Sequence, residues 1–183
     1  MNGIEGLTTT GSERVHKNPW FSVWKDDYTR PDGKSGQYFF IDPGVDAVTI
    51  VAEDSNGEFI LVGQTRYPVG GYLYEFPAGA ISKGEDSLSA AKRELREETG
   101  YSAERWELIG EYFTSSGLIK QRMYVFLARE LALGTSEPEE MEDILVKAVS
   151  LENILSLEVG SEISNLLLGP IPFYERWKAK NNF

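Results

Sequence analysis

The stretch Gly79–Tyr101, GAISKGEDSLSAAKRELREETGY, decides how the rest of the chain is read. Steps of three and four residues at about 100° each bring Glu94, Glu97 and Glu98 to nearly the same side of a helix. Asp86 supplies a side-chain oxygen that can cap the helix start, and Leu88, Ala91 and Leu95 form an apolar stripe. Gly100 supplies the left-handed residue on which helices commonly end. One face therefore packs and the other gathers carboxylates. Like charges at these spacings destabilise a helix by roughly a few tenths of a kcal/mol per pair, unless a positive charge sits among them. A divalent cation is one source of that charge, and oxygen-only ligands favour a hard ion, Mg2+ or Mn2+, whose shell is completed by water and substrate phosphates.

With those residues in view the segment resembles the signature of the Nudix hydrolases. That pattern is Gly, five residues, Glu, seven residues, then Arg-Glu-apolar-any-Glu-Glu-any-Gly-apolar. Here it is met by Gly79, Glu85, Arg93, Glu94, Leu95, Glu97, Glu98, Gly100 and Tyr101, the tyrosine replacing the usual aliphatic residue. A charged, solvated helix with ordinary salt bridges is the plainer alternative. So many matches at fixed spacing weigh against it.

The resemblance covers about residues 15–149 and implies an α+β fold, the Nudix α/β/α sandwich with a mixed β-sheet, preceded by an N-terminal antiparallel β-hairpin. It implies that Glu94, Glu97 and Glu98 are metal ligands, with Glu97 a ligand or the base, and that Ala78 adds its backbone carbonyl. Glu85 and Arg93 resemble the family's structural ion pair.

Upstream, Glu75-Phe76-Pro77-Ala78 and the triplet Gln64-Thr65-Arg66 resemble the ADP-ribose and nucleotide-sugar branch. On that resemblance Arg66 and Glu75 are substrate-binding candidates, a guanidinium being suited to a bidentate grip on phosphate. Arg66 equally reads as a surface arginine paired to a carboxylate. Trp20, Phe21 and Trp24 offer faces on which a base could stack, Trp24 being the substrate-binding candidate, or else they pack a sheet or a dimer interface. Two departures from the branch stand after the helix: Ser116 where proline is usual, and Gln121 where a carboxylate is expected.

Composition narrows the partners. At 183 residues the chain is long enough for a real core, and it carries 29 acidic against 18 basic residues, a formal charge of −11. That balance argues against nucleic acid or an anionic membrane as partner. With no cysteine, thiol catalysis and Cys-based zinc sites are excluded. No apolar run approaches the ~18 residues of a membrane span, and a cytoplasmic protein is expected.

Along the chain, residues 1–12 read as a disordered terminus and 13–183 as one domain, with a hairpin at about 20–41, a core at about 46–149 and C-terminal helices at about 150–180. Arg30-Pro31-Asp32-Gly33 marks the first hairpin turn, and Ser55-Asn56-Gly57 reads as a second turn joining two paired strands. The acidic stretch with Glu137, Glu139, Glu140, Glu142 and Asp143 is a solvated loop, or a lid that delivers a catalytic carboxylate. Ser161 reads as the cap of a helix to Leu168.

The expected activity is metal-dependent hydrolysis of the diphosphate in ADP-ribose or a related nucleoside diphosphate sugar. Alternatives are another nucleoside diphosphate compound (a dinucleoside polyphosphate, NADH, coenzyme A or a nucleoside triphosphate), or a non-catalytic Nudix regulator that only binds a metabolite. A homodimer through the N-terminal strands is expected by analogy.

Overall fold

The computed structural model describes residues 6–134, 144–156 and 164–181. Contacts divide the chain into two compact units, Met1–Asp46 with Phe113–Arg122, and Ala47–Tyr112 with Met123–Phe183. The stretch 13–183, expected as one domain, spans both units. The physical reason lies in the N-terminal strands, none of whose side chains is fully buried, so backbone ladders rather than a shared core hold them.

In the first unit, β1 (Thr8–Lys17), β2 (Ser22–Thr29) and β3 (Ser35–Asp42) form an antiparallel meander. The hairpin expected at 20–41 is thus the inner part of a three-stranded array. Disorder through residue 12 is also corrected: Thr8 to Ser12 are laddered against Thr29 to Asp26, with register shifts at Thr9/Gly11 and Arg14/His16. The β-branched threonines suit an extended backbone. Because β1 is almost wholly exposed, no hydrophobic alternation announces it. The turn after Thr29 is closed by Gly33 N–H on the Arg30 carbonyl at 2.9 Å, with Gly33 at φ 81°. Trp24 is half-buried on β2, with the Arg14 guanidinium 5.8 Å from its ring centroid.

The second unit contains β4 (Ala47–Ala52), β5 (Glu58–Arg66), β6 (Gly71–Glu75), β7 (Ala78–Ala80), α1 (Ser87–Thr99), β8 (Tyr101–Ser115), β9 (Ile119–Leu133), β10 (Leu145–Ser150), α2 (Leu151–Leu155), α3 (Asn165–Leu168) and α4 (Ile171–Asn181), the tip of the β8–β9 hairpin belonging to the first unit. One of its sheets is mixed, in the order β8–β9–β4–β7 with β9 and β4 parallel and β4 and β7 antiparallel. The other, β10–β5–β6, is antiparallel.

Every residue of β4 is buried, as a strand covered on both faces requires. Val48, Ile50 and Ala52 join Phe126 and Ala128 of β9 against Ala90, Ala91 and Leu95 of α1. Val51, Val125 and Leu127 turn the other way, into a core with Phe59, Phe76, Ile154, Leu167, Tyr174 and Trp177. Alternate residues of one strand thus feed two helix layers, which is the α/β/α arrangement expected.

Two local readings are corrected. The Ser55-Asn56-Gly57 turn forms, with Gly57 at φ 78°, but β4 and β5 enter different sheets and meet only at the Glu53–Phe59 bridge. The helix ending at Leu168 is capped by Ser164, whose hydroxyl accepts the Leu166 N–H at 3.0 Å. Glu137, Glu139, Glu140, Glu142, Asp143 and Ser161 lie outside the described residues.

Candidate active site

Helix α1 forms as its sequence demands. The Asp86 carboxylate accepts the N–H groups of Leu88 and Ser89, both at 3.0 Å, and the Ser89 hydroxyl at 2.6 Å, which hold its pKa below the ordinary value. Gly100, at φ 74°, closes the other end by donating to the Arg96 carbonyl at 2.9 Å.

Arg93 is the hub of the carboxylate face. Its guanidinium makes a two-point contact with Glu85, Nε to Oε1 at 3.1 Å and Nη2 to Oε2 at 3.0 Å. Its Nη1 reaches Glu94 at 2.6 Å and Glu97 at 3.0 Å, and Nη2 also donates to the Ala80 carbonyl at 3.0 Å. The hydrogen bond from Arg93 is the largest influence lowering the Glu85 pKa, and the reciprocal bond from Glu85 is the largest raising that of Arg93. Arg93 therefore ties the loop before α1, the strand β7 and two of the three expected metal-binding carboxylates into one network. The sequence reading assigned it only to Glu85. That an arginine would also neutralise Glu94 and Glu97 has a trace in the i,i+1 and i,i+4 spacings, whereas its reach to Ala80 has none.

Glu98 is held separately. It is buried, 9% exposed, so the face that gathers carboxylates is covered at this position. Its Oε2 accepts the Ala78 N–H at 3.1 Å. Strand β7 is the edge of its sheet, and the Ile50 N–H, donating to the Pro77 carbonyl at 2.8 Å, supplies the rung next to the Thr49–Ala78 pair. Ladder geometry then turns the N–H and C=O of Ala78 away from β4, toward α1. Gly79 completes the fit: a Cβ there would lie 2.1 Å from the Glu94 carboxylate, so only glycine lets that side chain rest on β7.

Glu85, Glu94, Glu97, Glu98, Arg93 and Ala78 thus come together. Among the described residues no three carboxylate or histidine side chains already form a metal cage. The donors are nonetheless hard oxygens, and the four carboxylates carry more charge than the guanidinium that contacts three of them, leaving negative charge in excess. Mg2+-type sites use only one or two carboxylates plus water and phosphate, so this set fits a divalent cation that arrives with substrate.

Arg66 and Glu75 form a second pair. The buried Glu75 carboxylate, 3% exposed, accepts both Nε, at 3.0 Å, and Nη2 of Arg66, itself about one-third exposed. The paired-arginine reading thus holds in this structure, and Glu75 holds the guanidinium in place from below. Trp24 lies in the first unit. Gln121, in that unit too, donates from Nε2 to the Val45 carbonyl at 3.4 Å.

Comparison with known proteins adds five findings. The model of the NUDIX domain matches residues 43–167, and that of the nucleoside diphosphate sugar hydrolase N-terminal domain matches residues 7–41. An ADP-ribose pyrophosphatase of Bacillus subtilis (strain 168) is 34% identical over 158 residues, 85% of this chain and 84% of its own. A methanol dehydrogenase activator of Bacillus methanolicus is 30% identical over 144 residues, 78% of this chain and 77% of its own. The crystal structure of an ADP compounds hydrolase superposes with a TM-score of 0.85 over 99% of this chain and 98% of that one, at 21% identity, which speaks to the fold alone.

Proposed function

The chain belongs to the NUDIX family, and we propose that within it the protein hydrolyses the diphosphate linkage of ADP-ribose or a related nucleoside diphosphate sugar to two monophosphates. The observation that carries this reading is the Arg93-centred network, which sets Glu94 and Glu97 beside an edge strand whose Ala78 peptide engages Glu98. The similarity to an ADP-ribose pyrophosphatase along most of both chains supports the substrate class.

NUDIX enzymes need a divalent metal, and Mg2+ is the ion we assign, with Glu94, Glu98 and the Ala78 carbonyl as its holders and Glu97 either a further holder or the base. When bound, such an ion neutralises diphosphate oxygens and lowers the pKa of a water. The chain's own residues do the rest. Arg93 fixes the angle of Glu94 and Glu97, and Glu85 fixes Arg93. Arg66, braced by Glu75, presents its exposed edge to a substrate phosphate. In hydrolysis the oxygen of water joins one phosphorus and the bridging oxygen departs with the other phosphate. A carboxylate accepts the water's proton, either Glu97 or one of Glu139, Glu140 and Glu142. We place the protein in the cytoplasm as a homodimer through its N-terminal strands. No helix among the described residues is long and apolar enough to cross a membrane.

A panel of ADP-ribose, ADP-glucose, NADH, diadenosine polyphosphates, coenzyme A and ATP, each with Mg2+ and analysed by chromatography, tests the assignment. Fastest release of AMP and ribose 5-phosphate from ADP-ribose supports it, and preference for a dinucleotide or triphosphate refutes the substrate class. Binding of ADP-ribose without turnover of any compound would favour a regulator, against which the complete set of carboxylates stands.

A further inference from the structure

Strand β4 reads Ala47-Val48-Thr49-Ile50-Val51-Ala52, and Thr49 is its single polar side chain. It is wholly buried, and its Oγ1 meets no hydrogen-bond partner among the described residues. Valine has nearly the same shape and equal liking for a strand, so neither packing nor propensity asks for threonine here. A hydroxyl left without a partner in a core is destabilising, and a chain that keeps one has a use for it or a water upon it.

Its place in the ladder is specific. Thr49 stands directly opposite Ala78, and facing residues send their side chains to the same side of the sheet. Ala78 is the residue whose N–H meets Glu98, and it follows the buried corner Phe76–Pro77. Backbone carbonyls at such a corner have a second lone pair to offer a water.

We propose that Thr49 is a positioning residue for the metal-binding edge: its hydroxyl anchors a buried water beneath the Phe76–Ala78 corner and so fixes the Ala78 peptide at the angle that Glu98 and a cation require. The proposal rests on the hydrolase reading above. It explains why a polar atom is retained in the most buried strand of the unit.

Three measurements on the full chain and on Thr49→Val and Thr49→Ser test it. They are the melting temperature without metal, Mn2+ affinity by calorimetry, and kcat and KM for ADP-ribose with Mg2+. Thr49→Val, which removes the anchor of the water, is expected to melt no higher without metal than the parent chain. Its Mn2+ affinity falls about tenfold, the scale on which groups supporting a metal's ligands act. Its kcat drops while KM stays within about twofold, as expected when an interaction specific to the transition state is lost. Thr49→Ser restores both affinity and kcat. Unchanged Mn2+ affinity in Thr49→Val, or a higher metal-free melting temperature, overturns the proposal. If the unaltered chain fails to turn over ADP-ribose, the substrate reading falls, while the melting and calorimetric results still decide the role of Thr49.

Discussion

Gly79 and Glu85 show how single residues shape this site. The Glu94 carboxylate lies where a Cβ of residue 79 would be, 2.1 Å away, and a carboxylate at the end of a flexible side chain yields at little cost to the fold. Gly79→Ala is therefore expected to keep its melting temperature within a few degrees while losing roughly 10–100-fold in metal affinity or turnover. A stable variant with full activity would show that the position of Glu94 is immaterial. Glu85 has a pKa lowered chiefly by the Arg93 hydrogen bond. A carboxyl with a lower pKa in the folded than in the unfolded state contributes stability above the unfolded value, ~4.3, and that contribution is lost as pH falls through the folded value. Glu85→Gln should consequently melt lower than the parent chain near pH 7, with the difference shrinking below about pH 4. Melting curves across that range check the sign. Identical curves would mean that the clamp contributes nothing.

Helix α1 stands or falls by its buried stripe. Leu95 is fully buried between β4 and β9 side chains, and Leu95→Ala is expected to destabilise the chain by about 2–5 kcal/mol, measured by urea unfolding. A loss well below 1 kcal/mol would mean that the helix is not docked as described. This helix was readable in the sequence almost to the residue, because cap, stripe and terminator agree there. The β4–β5 connection was less so. Turn chemistry around Asn56-Gly57 reveals that the chain reverses, but the choice of partner strand depends on long-range packing. β4 is drawn between β7 and β9 by its two apolar faces. Strand β1 escaped notice for the opposite reason, since a ladder with exposed side chains leaves no period in the sequence. At the site, the clustering of the glutamates was legible from spacing, whereas Ala78 came only through the family resemblance. The grip of Arg93 on Glu94, Glu97 and Ala80 depends on tertiary placement and was not.

At the scale of the whole molecule, a formal charge of −11 opposes the approach of an anionic diphosphate, and the excess of carboxylates at α1 adds to that field. ADP-ribose should accordingly bind much more weakly without a divalent ion than with one, a contrast that calorimetry in EDTA and with Ca2+ would record. Equal affinity in both would move substrate recognition away from the carboxylates. The most direct examination of the account is the rate of ADP-ribose hydrolysis as a function of Mg2+ concentration for the parent chain and for Glu98→Gln, whose amide oxygen can still accept the Ala78 N–H. The account predicts saturable Mg2+-dependent turnover in the parent and a loss of roughly two or more orders of magnitude in a variant that stays folded. Turnover that is indifferent to Mg2+, or undiminished in Glu98→Gln, would contradict it.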